Sequence, residues 1–512
     1  MARVYSNRLS EYSHENGGRV LLLFLLFLLA IYEFVNAGFG AFAIVCLLPC
    51  VILYIFAAFR WRMFTFWTLI LINYLIQMKD ISLPVPMSLP NEVLELVLLA
   101  IAIIDARQTP QFNRAGNLML FALVVWCVFC TLELLNDTCS LGIDAALWYN
   151  GARLMAFQIL YIFLVFSIYI SSPETLMRYL KLWAILSLFS AFWVWKQQNM
   201  GFTPAEKLWL ETRGRSTHIL NAGTLIRYFS TFSDAANYGC NAAATTVAFI
   251  LIGITTKLKK ERFFFLITGI LVFWGMFASG TRSAIFCVAA GFILYIFLSK
   301  SFKIAIPFTI AFAFFAFILV FTDIGNGNQQ IRRMRSAFNK DDASANVRDI
   351  NKEAIKKYIQ DAPWGIGLGM GYNVPANSKY YKLATIPPDS EYVYIWIRTG
   401  PIGLTVFIIT TLIMLAGACS TVLFRLKNKS LIGIGGGLCG AFVAIHLGGY
   451  ANQVLMQFPN CLIFYGGLAI VYVLPYIEPE WIKYEEGLLA KQEERKRLRL
   501  EKKKASRVKL YW

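Results

Sequence analysis

Arg227, Arg282 and Arg398 each sit at the end of a different apolar segment of the chain. A guanidinium offers a rigid fork of donors that matches phosphate oxygens, and it keeps its proton at any physiological pH. Several of them gathered at one surface describe a site for an anion. Arg153, near the end of another apolar run, and Arg348, in a long polar segment, extend the set. Any one of these arginines alone reads equally well as a side chain snorkelling to a membrane interface. That reading weakens when they converge on one side beside Ser, Thr, Asn and Gly. Asp234 and Asn237 follow Arg227 in Arg227-Tyr228-Phe229-Ser230-Thr231-Phe232-Ser233-Asp234-Ala235-Ala236-Asn237. Asp389 and Glu391 precede the same apolar run as Arg398. They are candidate salt-bridge partners for the arginines. A carboxylate ionised near neutral pH can also serve as a general base toward a hydroxyl.

Other chemistries find little support. The three histidines, His14, His218 and His446, are too few and too scattered for a metal cluster, and no paired carboxylates stand at metal-binding spacing. Cys127 and Cys130 form a CxxC inside an apolar run with no second pair, which reads as packing. No metal and no cofactor are expected. The net charge of +18 is concentrated partly in the stretch from Glu478 to Trp512, which carries eleven Lys and Arg. It reads as a basic helix near anionic lipid headgroups, not as a nucleic-acid site.

The elements that must position these residues are membrane helices. The chain has 512 residues, 58% hydrophobic and 15% charged, with a mean hydropathy of +0.57. That leaves too little polar surface for a soluble domain. Its repeated apolar runs are long enough to cross a bilayer, where about 20 residues span the hydrocarbon and helices satisfy every backbone group internally. The expectation is an all-α polytopic membrane protein of about 12–14 spans. They run roughly over 20–36, 39–59, 63–79, 91–105, 117–135, 151–170, 179–196, 236–256, 263–279, 284–299, 304–322, 401–424, 431–450 and 460–477. Glu92 and Glu95 interrupt the fourth.

Charge sets the orientation. Arg60 and Arg62, Arg107 and Arg114, Arg178 and Lys181, Lys257 to Arg262, Lys300 and Lys303, and Arg425 to Lys429 all fall in short loops of one parity. This is the positive-inside pattern, so both termini are expected in the cytoplasm. The organisation is a cytoplasmic tail over 1–19 and eleven spans over 20–322, with an external loop at 197–235. A large external loop over 323–400, three last spans over 401–477 and a basic tail over 478–512 follow. The large loop holds eleven Lys and Arg against eight Asp and Glu, and loops this long are usually functional. Within it, 347–360 is amphipathic and ends at Asp361-Ala362-Pro363. Trp364 to Gly371 then places glycine at every second position. Following a helix and not a strand, this run fits a tight re-entrant turn better than a dinucleotide loop. A lipid-linked pyrophosphate is the anion such a site would meet in a bilayer.

Three blocks resemble the O-antigen ligase and polymerase superfamily of bacterial inner-membrane glycosyltransferases: Arg227 to Gly239; Ser279 to Ala284; and a third running from Arg348 through Pro363 and the glycines to Asp389–Leu404. In place of the family's His-Asn before Gly-x-x-Gly-Leu, this chain has Asp389-Ser390 ahead of Gly400-Pro401-Ile402-Gly403-Leu404. The resemblance implies transfer of a glycan from undecaprenyl pyrophosphate to lipid A-core or, in a polymerase, to another lipid-linked repeat. On this reading Arg227 and Arg282 meet the leaving pyrophosphate, with Arg398 or Arg348 assisting, and Arg153, Asp234, Asn237, Glu391 and His218 are candidates around the substrates. Asp389 or His218 would stand in for the family's histidine. The expected partners are the lipid-linked donor, a glycan or lipid acceptor and membrane lipids. A transporter of lipid-linked glycans is the reading from another class, but no internal repeat supports it.

Overall fold

The computed structural model describes residues 17–81, 86–105, 112–220, 225–300, scattered positions from 306 to 325, 327–336, 343–370 and 374–508. Arg3, Arg8, His14, Arg107, Lys303, Gly371 and most of the expected span 304–322 lie outside the described residues. The chain divides into two units, 1–67 and 68–512.

The first unit is built on α1 (Gly17–Arg60), a single helix of 44 residues where two paired spans were expected. Its apolar sequence contains no proline before Pro49 and no Gly-Pro or Asn-Gly turn signal, so nothing in it forces a hairpin. Helix α2 (Arg62–Leu75) follows.

The second unit is an all-α membrane bundle. It contains α3 (Leu89–Asp105), α4 (Leu118–Leu132), α5 (Ala145–Ala152), α6 (Gln158–Tyr169), α7 (Pro173–Asn199), α8 (Pro204–Trp209), α9 (Ala235–Thr255), α10 (Lys259–Ala278) and α11 (Ser283–Leu298). Then come α12 (Gln329–Arg335), α13 (Ala343–Ile359), α14 (Glu391–Ser420), α15 (Lys429–Ala451) and α16 (Gly466–Val508). Among the described residues eight helical segments are long and apolar enough to cross a membrane, or nine with the bent pair around Trp61. The excess in the sequence count is accounted for by α1, by the 16-residue α11 and 17-residue α3, and by the largely undescribed 304–322.

Small residues bring the central helices together. A Cβ on Gly291 of α11 would meet the Gly440 carbonyl of α15 at 2.7 Å, and one on Gly437 would meet the Ala248 carbonyl of α9 at 3.1 Å. Without a hydrophobic drive between helices in lipid, such close backbone approach supplies the packing energy. These contacts hold α9 and α11 against the middle of α15.

Helix α14 is broken at Gly400, whose φ of 68° and ψ of −176° are non-helical, just before Pro401. Proline has no N–H to give, so the carbonyl four residues back loses its helical partner. That carbonyl, of Ile397, accepts instead from Ile366 N at 2.9 Å, and the next, of Arg398, accepts from Gly367 N at 3.0 Å. The glycine run thus stitches into the break. Gly365, Gly367 and Gly369 all have positive φ. A Cβ at Gly369 would strike the Leu147 carbonyl of α5, and one at Gly365 would strike the Arg398 backbone. The run is a backbone clamp between α5 and α14, in keeping with a tight turn. Helix α13 lays Ile355 and Ile359, one turn apart, into the core that also buries Ala362, Ile366 and Ile397.

Candidate functional site

The site forms where a two-stranded ribbon meets the tip between α10 and α11. Strands β1 (Ile219–Leu220) and β2 (Leu225–Ile226) pair antiparallel, Ile219 opposite Ile226. Arg227 N extends the ladder to the His218 carbonyl at 2.9 Å, and Tyr228 N reaches the Ala278 carbonyl at 3.3 Å. The ribbon is therefore laid along the tip Ser279-Gly280-Thr281-Arg282, where Gly280 at φ 59° makes the sharp turn. The Arg227 guanidinium donates from Nε to the Ser279 carbonyl at 3.3 Å, from Nη1 to the Thr217 carbonyl at 3.0 Å and from Nη2 to Thr281 Oγ1 at 3.2 Å. All three acceptors are neutral, and two of its five N–H groups remain beyond these bonds.

A further arginine joins from α12. Arg333 Nε donates to the Gly280 carbonyl at 2.8 Å. A Cβ on Gly280 would lie 3.1 Å from Arg333 Cδ and 3.4 Å from Arg227 Cγ, so the glycine is held between the two side chains. Arg282 Nη1 reaches Ser336 Oγ at 3.5 Å, and Ser336 Oγ bonds back to the Arg333 carbonyl at 2.8 Å. The guanidiniums feel one another. Burial lowers Arg227 below its usual pKa; Asp234 pulls it back, and Arg282 and Arg348 press it down again. Burial and Arg348 lower Arg282. Burial, Arg227 and Arg282 lower Arg333 to about 10, still a cation at neutral pH. Four arginines from four segments share one electrostatic neighbourhood.

Arg348 also connects this cluster to a groove of about 680 Å³. Asp389, Asn351 and Lys352 form its polar rim, and Tyr392, Trp396, Leu404, Ile408 and Tyr450 its apolar wall. Asp389 accepts from Asn351 Nδ2 at 3.0 Å, an amide and not an arginine. A carboxylate held through one oxygen at the edge of a groove can take a proton from a hydroxyl bound there.

Several residues expected around the substrates bond within the protein frame. Asp234 caps α9, accepting from Ala236 N at 2.8 Å and Asn237 N at 2.9 Å. Buried Asn237 donates to the Phe458 carbonyl at 3.0 Å and accepts from Asn460 Nδ2 at 2.6 Å. Buried Glu391 accepts from Leu455 N at 3.0 Å. His218 accepts from Ala235 N through Nε2 at 3.0 Å, which leaves the proton on Nδ1 beside Thr217 Oγ1 and the Gly214 carbonyl. Burial and then Arg227 push its pKa down to about 4. With both nitrogens engaged, this imidazole is a brace.

Arg153 and Arg398 stand apart from the cluster's bonds. Arg153 pairs with Glu92 at 3.4 Å and donates to Ser88 Oγ at 3.1 Å. Glu92, which interrupts the apolar run of α3, is its counter-charge. Arg398 packs its guanidinium over Tyr394, 5.2 Å from the ring centre, and lends its carbonyl to the glycine clamp.

Two neighbours escaped sequence reasoning. Arg333 sits among Arg332 and Arg335 near the start of the long loop, and nothing in the run distinguishes it. Lys79 donates to the Ser233 carbonyl at 2.6 Å and lies 4.1 Å over the Trp209 ring, with burial lowering it to about 8. It braces the segment between Arg227 and α9.

The fold and the site define a polytopic membrane protein with a half-buried cluster of arginines beside an apolar groove. Residues 265–408, from α10 into α14, match the model of the O-antigen ligase family. Arg282, Arg333, Arg348, Asp389 and Arg398 lie within that segment, and Arg227 lies before it. No curated protein matches the chain.

Proposed function

We propose that this protein transfers a glycan from undecaprenyl pyrophosphate to a hydroxyl of lipid A-core or another surface acceptor, at the periplasmic face of the bacterial inner membrane. The seating of Arg227 on the tip that carries Arg282, by its bond to Thr281 Oγ1, with the charge of Arg348 bearing on both, supports the reading. In the reaction, the bond from the sugar's anomeric carbon to the phosphate oxygen breaks and a bond to the acceptor oxygen forms. The electron pair leaves with the pyrophosphate, whose developing charge Arg227 and Arg282 stabilise. The acceptor's proton goes to the Asp389 carboxylate. The groove's apolar wall, which includes Leu404 and Ile408 of α14, suits a lipid-borne ligand alongside. The chemistry asks for no metal.

The test is transfer by purified protein in lipid nanodiscs, given a synthetic polyprenyl-pyrophosphate glycan and lipid A-core, with product read by mass spectrometry. Glycosylated acceptor and released prenyl pyrophosphate are expected together. Failure with lipid A-core but chain extension of the donor assigns the protein to polymerisation. A deletion strain separates the same two cases: lost ligation leaves lipid-linked polymer, and lost polymerisation leaves single repeats. Movement of intact donor across vesicles, without bond cleavage, would replace the enzyme reading with a transporter.

A further inference from the structure

Arg227 and Arg282 already suffice for one phosphoryl group, since a single guanidinium engages a phosphate through two parallel bonds. Arg333 adds a third fork at the same spot. Its Nε is committed to the Gly280 carbonyl at 2.8 Å, which fixes the plane of the guanidinium. No partner for its two Nη groups occurs among the described residues, and no carboxylate is among the charges that bear on it. A Cβ built on Gly280 would lie 3.1 Å from Arg333 Cδ and 3.4 Å from Arg227 Cγ, so both side chains lie against the same glycine. A guanidinium anchored by its inner nitrogen, with its outer pair unspent and two cations as neighbours, is arranged to meet a second negative group adjoining the first.

We propose that Arg333 is a specificity-determining residue that makes this site select a diphosphate over a monophosphate, by taking the second phosphoryl group. The inference rests on the donor reading given above, and it concerns a residue outside the blocks that carry the family resemblance. The donor's doubly substituted diphosphate carries two charges and gains a third as the sugar leaves, and a third guanidinium at the tip meets the charge that develops. A monophosphate fills only the Arg227 and Arg282 end, so Arg333 contributes little to it. Gly280 is part of the device, because a side chain there would crowd Arg333 Cδ and Nε.

The experiment measures binding of farnesyl diphosphate, farnesyl monophosphate and inorganic diphosphate to the full chain in nanodiscs of neutral lipid. The variants are Arg333→Gln, Arg333→Lys and Arg227→Ala. Arg333→Gln keeps an N–H for the Gly280 carbonyl while removing the charge, so it guards against a folding defect. The unmodified protein should prefer farnesyl diphosphate to the monophosphate. Arg333→Gln should weaken both diphosphate probes roughly 10- to 100-fold, the range for a lost bond to a charged group, and leave the monophosphate within about twofold. Arg333→Lys should fall between, as a point charge without the fork. An unchanged diphosphate preference in Arg333→Gln, with Arg227→Ala losing farnesyl diphosphate, overturns the proposal and leaves the donor reading standing. An effect confined to the prenyl-bearing probe also overturns it, because the contact is to phosphate and not to the chain. No binding of farnesyl diphosphate by the unmodified protein overturns both.

Discussion

Arg227 donates from Nη2 to Thr281 Oγ1 at 3.2 Å, so the first arginine of the site is held by the same tip that presents Arg282. Thr281 Oγ1 in turn donates to the Ala235 carbonyl at 2.8 Å, at the start of α9. Arg227 is therefore tied to the first turn of one membrane helix and to the hairpin joining two others. Its geometry depends on the packing of the bundle, not on a free loop.

Thr281→Val keeps the shape and removes both bonds. Transfer is expected to fall about tenfold or more, since a misplaced charged group loses the benefit of a preorganised site. Thermal unfolding should show a smaller effect, about 1 kcal/mol per lost hydrogen bond. Equal rates for the two proteins in the nanodisc assay would separate Thr281 from the placement of Arg227.

Gly280→Ala should harm both stability and transfer. A left-handed φ of 59° costs an alanine roughly 1–2 kcal/mol, and its Cβ would crowd Arg333. The measurement is the melting temperature beside the turnover rate. A variant as stable and active as the parent would show that the tip tolerates a different turn.

Asp389→Asn preserves the bond to Asn351 in shape but cannot accept a proton. Turnover should drop 10²- to 10⁴-fold with donor binding unchanged, the usual contribution of a general base. Asp389→His should retain part of the rate. If Asp389→Asn turns over normally, another group takes the proton.

His218 gives the fold a pH dependence whose sign follows from its lowered pKa. Unfolded, the ring titrates near 6.5; folded, near 4. Between these values the unfolded chain binds a proton that the folded chain refuses, so stability falls as pH drops from about 6.5 to 4, by at most about 1.4 kcal/mol per unit. Above 6.5 it contributes no slope. Melting temperatures measured from pH 7.5 to 4.5 should decline in the parent and flatten in His218→Gln. Parallel curves would mean that the imidazole is not held neutral.

Much of the fold was legible because membrane crossing is written in run length and composition. The break in α14 was half legible: Gly400-Pro401 announces it, but the repair by Ile366 and Gly367 is a contact between residues some 30 apart in sequence. The glycine run illustrates the limit. Alternating glycines look the same whether they cradle phosphate or let two backbones touch, and here Gly369 against Leu147 decides for contact. The site divides similarly. Arg227 and Arg282 were marked by their places at the ends of apolar runs. Arg153 carried the same mark yet pairs with Glu92, since burial and partner are properties of packing. Arg333 carried no mark, because its neighbour Gly280 is 53 positions away.

Metal independence is open to a simple check. Among the described residues no three His, Cys, Asp or Glu side chains are grouped to hold an ion. Transfer is predicted to proceed in excess EDTA. Activity that returns only on adding Mg²⁺ or Mn²⁺ would require a cation bridging the donor itself.

The most direct test of the account is glycan transfer by Arg282→Ala and Arg227→Ala proteins that insert and purify like the parent. Each is predicted to lose at least about 10²-fold in rate, and the corresponding lysine variants to remain badly impaired, because a point charge does not reproduce paired bonds to phosphate. Near-normal product from well-inserted Arg282→Ala would contradict the claim that these arginines hold the leaving pyrophosphate.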